Sequence, residues 1–203
     1  VQILSTVDAS TFQLYLNNMR SVLYEQLRHS ETIIFNRCDD STRTLYLRNN
    51  IKAMNKRAQL IYENKDGTIR AAAQEELPFD VNADPIVLED YDYGIWYMDA
   101  LENPRKYEGK TVTYNAKVYP VNETRPNAYV LGREAMVCCS DDTSLIGWWV
   151  HTKQFKPRPL SWVRITGRIR VEYDEGYGGE VCAIEELARE ELSHHEEDYV
   201  YFT

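Results

Sequence analysis

Trp162-Val163-Arg164-Ile165-Thr166-Gly167-Arg168-Ile169-Arg170-Val171-Glu172-Tyr173 decides how the second half of this chain folds. Val163 and Ile165, then Ile169 and Val171, alternate with Arg164, Arg168 and Arg170, the period of a half-buried strand. Gly167 stands in mid-run, where a glycine permits a bend or bulge. Outward from this stretch lie further β-type runs: Thr111–Tyr119, Ala128–Cys138, Leu145–His151 and Val181–Ala183. Gly109, Gly132, Gly147 and Gly176-Tyr177-Gly178-Gly179 punctuate them.

Short strands at this density predict a small OB-like β-barrel, in which mid-strand glycines turn the corners. Ahead of it, Ile95, Met98 and Leu101 give a brief helical stripe that stops at Asn103-Pro104. Behind it, Glu185, Glu186, Glu190, Glu191, Glu196, Glu197 and Asp198 read as an acidic C-terminal tail. His194-His195 inside that run is either a solvated tail or a loose metal site.

The first 70 residues have a different grammar. Gln2–Val7 reads as a buried strand, and Asp8-Ala9-Ser10-Thr11 as a helix start. Phe12, Leu14, Tyr15, Leu16, Met19, Val22, Leu23 and Leu27 then recur at helical spacing. Thr32–Phe35 is a second strand, Ser41–Met54 a second helix and Gln59–Tyr62 a third strand. Strand, helix, strand, helix, strand predicts parallel strands with crossover helices. Ala71–Glu76 suits a short helix, and Pro78 and Pro85 flank a linker. The expectation is an α+β chain in two parts. Residues 1–75 form a partial α/β domain, 76–87 a linker, and 88–203 the barrel with its acidic tail.

Of 203 residues, 43% are apolar, enough for a buried core. No apolar run approaches the roughly 18–20 residues of a membrane helix, so no membrane insertion is expected. The N-terminus lacks Met and has no signal-peptide features, which reads as a fragment or a processed chain. The net charge is −9, and residues 86–203 hold 13 Lys/Arg against 21 Asp/Glu. Such a surface repels phosphate backbones, so nucleic acid is not an expected partner. Trp148-Trp149 is then one core and one surface aromatic rather than a base-stacking platform. Four cysteines, two of them adjacent, do not make a disulfide framework, which fits a cytoplasmic protein with free or metal-bound thiols.

Two short stretches carry chemistry. Asn36-Arg37-Cys38-Asp39 follows the second strand. The stretch resembles the Asn-Lys-x-Asp loop of P-loop GTPases, which implies that an Asp carboxylate accepts from the N1–H and amino group of guanine, a donor pair that adenine lacks, while the Asn amide reads the other edge. The plainer alternative is an Asx-type turn before a helix. Cys138-Cys139 is the second stretch. Two thiolates at a strand end can begin a zinc site, but tetrahedral coordination needs more ligands, and Asp142, His151 and Cys182 are the candidates. The alternative is a small core residue followed by a strand cap.

Val7-Asp8-Ala9, Glu25-Gln26-Leu27 and Asn36-Arg37-Cys38-Asp39 together resemble the second half of a CobW-like P-loop GTPase of the metallochaperone type. The resemblance implies nucleotide-binding roles for Asn36, Arg37 and Asp39, with GTP and Mg²⁺ as ligands of the parent protein. Arg37 departs from the family's Lys. The phosphate-binding half is missing as well: Gly109-Lys110-Thr111 follows no strand and has Pro104 where a P-loop requires Gly. This chain is therefore expected to be inactive alone, with no catalytic residue assigned. Its expected partners are the missing N-terminal GTPase half and a metal transporter or metalloprotein client. The open sheet edge left by that half would favour a homo-oligomer.

Asn103-Pro104, Tyr107, Gly109-Lys110, Val118-Tyr119, Arg133, Met136, Cys138-Cys139, Asp142, Trp162-Val163, Gly167 and Tyr199-Val200-Tyr201 resemble the C-terminal domain of a bacterial family named for permease subunits. That resemblance transfers no reaction. The two expectations for the whole are a CobW-like GTP-binding protein in metal handling, or a non-enzymatic interaction module without nucleotide.

Overall fold

The computed structural model describes residues 2–70, 77–121, 125, 127–139, 142–193 and 199–200, with backbone alone at 137–139 and 142. It divides into two compact units. Unit 1 takes residues 1–76, 136–143 and 202–203, and unit 2 takes 77–135 and 144–201.

Unit 1 contains β1 (Leu4–Asp8), α1 (Phe12–Asn18), α2 (Arg20–Leu27), β2 (Thr32–Cys38), α3 (Thr44–Met54) and β3 (Gln59–Asn64). The three strands lie side by side in the order β1-β2-β3, all parallel, with Val7 opposite Phe35 and Phe35 opposite Tyr62. Phe12, Leu16, Leu23, Leu27, Ile33, Phe35, Leu47 and Ile51 form the core. Phe35 stacks on Tyr62 at 5.6 Å and meets the edge of Phe12 at 5.4 Å, the geometries that ring quadrupoles favour.

Two expectations change here. The single helix after Asp8 is two, broken at Met19, which has φ −140° and ψ 38°. Asn17-Asn18 precedes the break, and the Asn18 side chain donates to the Leu14 carbonyl, the local competition that makes Asn a weak helix former. The third helix starts at Thr44 rather than Ser41, because Ser41 and Thr42 fold back on the Asp39 carboxylate. The helix expected at Ala71–Glu76 lies outside the described residues.

The remaining elements are β4 (Ile86–Val87), α4 (Asp92–Glu102), α5 (Pro104–Tyr107), β5 (Thr111–Tyr119), β6 (Ala128–Cys139), β7 (Asp142–His151), β8 (Trp162–Asp174), β9 (Gly179–Leu192) and β10 (Tyr199–Val200), all in unit 2 except the end of β6 from Met136 and the start of β7 to Thr143, which fall in unit 1. The sheet order is β10-β6-β7-β9-β8-β5-β4, and β5 also pairs with β6. Five strands therefore close a ring of pairings, β5-β6-β7-β9-β8, in which β7 and β9 run parallel. Gly132 and Gly147 let β6 and β7 approach closely: a Cβ on Gly147 would stand 2.7 Å from the Leu131 carbonyl oxygen. Gly167 marks a register shift against β9, where a Cβ would meet Ile184 at 2.2 Å.

The largest difference from expectation is β9. Glu185, Glu186, Glu190 and Glu191 do not begin a tail; they lie on a strand that continues to Leu192. The arginines of the neighbouring strand explain it. Arg168 stands opposite Glu185 and Arg164 opposite Glu190. Arg170 pairs with Glu185 at 2.5 Å, and Arg158 with Glu191 at 3.2 Å. Opposite charges facing across a strand pair make an acidic strand tolerable. His194-His195 and the acidic residues 196–198 lie outside the described residues.

Candidate functional site

In open parallel sheets, ligand sites form beyond the carboxyl ends of the strands. In unit 1 that edge carries Asp8 at the end of β1, Asn36 to Asp39 at the end of β2, and Lys65 just past β3. Asp8 and Asn36 are register partners, and Ala9 N–H donates to the Asn36 carbonyl at 3.1 Å. Arg37 has φ +57°, in the left-handed region, and the β2–β3 register shifts between Phe35 and Cys38. The Arg37 guanidinium turns back to Asp8 Oδ2 at 2.6 Å, while Asp8 Oδ1 accepts from Ser10 N–H and Oγ. The Ser10 hydroxyl, and then its N–H and Arg37, hold the Asp8 carboxyl below its ordinary range.

Asp39 is more tightly held. Its Oδ1 accepts from Ser41 N–H at 3.0 Å and Ser41 Oγ at 2.6 Å, and its Oδ2 accepts from Lys65 Nζ at 2.6 Å. Lys65 first, then Ser41, hold its carboxyl far below the usual carboxylate range. Arg70 donates to the Asp39 carbonyl at 2.5 Å. Cys38 is buried, with its thiol toward the Phe35 carbonyl, and burial pushes its pKa up. Asn36 is the exception to this satisfaction: its Oδ1 is buried and has no hydrogen-bond partner among the described residues.

A cleft of about 250 Å³ opens beside this edge, with Ser10, Gln13, Arg37, Asp39, Arg43 and Tyr46 among its walls. Arg43 lies 5.3 Å over the Tyr46 ring, giving one wall a flat cationic face. The cleft falls below the roughly 300–1,000 Å³ of pockets for drug-sized ligands and suits one planar ring better than a whole nucleotide. Asn36 and Asp39 both stand at the carboxyl end of β2, but Asp39 lines the cleft whereas the Asn36 amide oxygen is buried. Sequence reasoning missed Lys65, Arg43 and Tyr46. The signal for Lys65 was its place directly after the third parallel strand.

The expected metal ligands lie on β6, β7 and β9. Cys138 and Cys139 close β6 and Asp142 opens β7, and their side chains lie outside the described residues. His151 Nε2 lies 3.0 Å from Glu172 Oε2, and Glu172 also accepts from Arg125 at 3.2 Å. Cys182 is buried, with its sulfur 3.7 Å from the Ala100 carbonyl oxygen, and burial pushes its thiol up to about 12. His151 is the register partner of Glu185, three residues from Cys182, so the two project from opposite sides of the sheet. The structure does not bring this pair together, and among the described residues no three His, Cys, Asp or Glu side chains gather as metal ligands. Trp148 is buried, and Trp149 lies under Arg125 at 4.4 Å, one core and one surface ring.

The motif residues of unit 2 hold its fold. Pro104 starts α5, and the buried Tyr107 hydroxyl donates to Asp99 at 2.6 Å beside Lys106 at the same distance. Gly109, at φ +79°, turns the chain into β5, and its N–H donates to the Ile169 carbonyl. Arg133 is buried between the rings of Tyr93 and Trp162, with its guanidinium 2.9 Å from Asp90. A family profile described as DUF1980 C-terminal domain matches residues 63–202, more than half of the chain and nearly all of these motif positions. This chain belongs to the DUF1980 C-terminal domain family. The DUF1980 C-terminal domain match begins at Glu63, within β3, and includes Lys65 and Arg70. No curated protein matches the chain. Among the described residues, no helix is long and apolar enough to cross a membrane.

Proposed function

We propose that this chain is the C-terminal part of a CobW-like GTP-binding protein concerned with metal ions, its DUF1980 C-terminal domain serving as an OB-like barrel that contacts the metal or a client. The observation that carries this reading is the pairing of Asp8 and Ala9 with Asn36 on one carboxyl edge, where the buried Asn36 Oδ1 lacks a donor among the described residues. A further segment packed on this edge would supply one. The rest of unit 1 supports a larger sheet. Leu4 on β1 and Leu14, Tyr15, Met19 and Val22 along α1–α2 are exposed, although strands of parallel sheets are usually covered on both faces. β1 is the uncovered edge of its sheet, and a groove of about 710 Å³ runs beside it, lined by Ser5, Val7, Tyr15 and Leu23. The ring order of unit 2, with its one parallel pair, supports the OB-like reading.

In this reading GTP is bound through its base at Asp39, and the phosphates and Mg²⁺ are held by the N-terminal half. Zinc is the metal proposed for Cys138 and Cys139. The test is nucleotide binding by the full-length protein that carries this chain. An Asp reads the two donors of guanine, whereas an Asn presents a donor and an acceptor that match xanthine. Asp39→Asn should therefore move preference from guanine to xanthine nucleotides by at least about tenfold, the scale of one mismatched hydrogen-bond pair. Unchanged guanine affinity in this variant would reject the base-reading role.

A second reading is favoured by one observation. Both oxygens of Asp8 and both of Asp39 are already engaged within the chain. A docking platform without nucleotide needs no more than that. Full-length protein that binds neither GDP nor GTP would select it.

A further inference from the structure

The connection from β7 to β8, residues 152–161, runs Thr-Lys-Gln-Phe-Lys-Pro-Arg-Pro-Leu-Ser. It carries Lys153, Lys156 and Arg158 with no acidic residue, in a chain of net charge −9. Phe155 at its tip is 95% exposed, and Leu160 is 59% exposed. The Phe155 ring therefore contributes almost nothing to folding, yet the backbone that presents it is fixed. Gln154 N–H donates to Thr152 Oγ1, Arg189 donates to the Phe155 carbonyl, and Lys156 donates to the Arg125 carbonyl. Pro157 is buried, and Leu160 N–H donates to the Val118 carbonyl. Both prolines also limit the loop's conformations before any partner arrives.

We propose that this loop docks the protein on an anionic lipid surface. The Phe155 ring enters the boundary between headgroups and acyl chains, and the ammonium groups of Lys153 and Lys156 meet lipid phosphates on either side of it. An apolar ring flanked by long cationic side chains matches that interface, because the alkyl stems follow the ring inward while the charges stay at headgroup level. A nucleic acid is disfavoured because it offers the exposed Phe155 and Leu160 side chains no apolar phase to enter, whereas a bilayer supplies one. An acidic protein is disfavoured as well. The Arg158 guanidinium, the fork best suited to carboxylates, is already paired with Glu191. The lipid surface needs no concave receptor and tolerates a protruding tip.

The experiment is co-sedimentation of the purified chain with vesicles of phosphatidylcholine alone and with vesicles containing 30% phosphatidylglycerol, a composition chosen here as roughly that of an anionic leaflet. Binding is expected to the second and not the first. Phe155→Ala should weaken it about tenfold while leaving the melting curve unchanged, since the ring packs against nothing. Lys153→Glu with Lys156→Glu should weaken it by more than about tenfold, and added salt should act in the same direction. Equal sedimentation with both vesicle types, or anionic binding that survives Phe155→Ala and the double Glu variant, would overturn the proposal. So would retention on a polyglutamate resin without vesicle binding, which would assign the loop to an acidic protein.

Discussion

The Lys65 ammonium lies 2.6 Å from Asp39 Oδ2, each residue standing just beyond the end of one of two adjacent parallel strands. In the proposed reading a guanine base needs both Asp39 oxygens, so it would have to displace Lys65 from Oδ2. Lys65→Ala in the full-length protein should raise guanine-nucleotide affinity severalfold, read by calorimetry. A fall in affinity would show instead that Lys65 helps to hold the nucleotide.

The same contact sets a pH dependence. Asp39 has a folded pKa held below its unfolded value, by Lys65 and Ser41. The stability it contributes is therefore fully present above the unfolded pKa of about 3.9 and is lost as pH falls toward the folded value. Urea denaturation of the parent and of Asp39→Asn should differ by a constant amount above about pH 5. That difference should shrink as pH drops below about 4. A difference that grows on acidification would contradict the geometry.

Of the four cysteines, Cys38 and Cys182 are buried, and burial raises both thiols, Cys182 to about 12. The thiolate is the reacting species, so neither should react with Ellman's reagent at pH 8 in the folded state. No more than two thiols should titrate natively and all four should in denaturant. Zinc titration of the parent against Cys138→Ser/Cys139→Ser checks the metal reading. The parent should bind one equivalent that the double variant does not, and equal stoichiometry would remove zinc from the pair.

Arg133 is a fully buried cation whose guanidinium meets the partly exposed Asp90. The rings of Tyr93 and Trp162 lie 5.7 and 5.5 Å from its guanidinium carbon. Arg133→Ala should cost about 3–5 kcal/mol in urea unfolding, through the opened cavity and the broken pair. Asp90→Asn should also destabilise, because it removes the carboxylate charge that meets the buried guanidinium at 2.9 Å. A loss under about 1 kcal/mol in both would show that the pair is dispensable.

Strands β5, β6 and β8 were legible because apolar and polar residues alternate along them, as at Val163, Arg164 and Ile165. β9 was legible only over Val181 to Ala183. Beyond Ile184 four of its eight residues are acidic, and what makes them a strand is the arginine row of β8, which acts across the register rather than along the chain. Alternation therefore fails where a neighbouring strand supplies the compensation. The break at Met19 had a local sign in Asn17-Asn18, outweighed by the longer apolar stripe. In the site, Asn36 and Asp39 were readable as one motif, whereas Lys65 stands 26 positions away from Asp39 and joins it only through the parallel register. The helical spacing of Leu14, Tyr15, Met19 and Val22 was legible, but spacing identifies apolar positions and not whether anything covers them, and these four are exposed.

β9 fills the slot between β7 and β8 although both precede it in the chain. On the ribosome, β7 is complete at His151, but its neighbour is not finished until Leu192. At roughly 5–20 residues per second the growing chain spends about 2–8 s with the β7 edge open, joined by the β8 edge once Asp174 has been added. Those edges carry unpaired backbone groups that can join another nascent chain. A premature stop before Gly179 makes that interval permanent, so truncated products should accumulate as aggregates rather than as partly folded monomers.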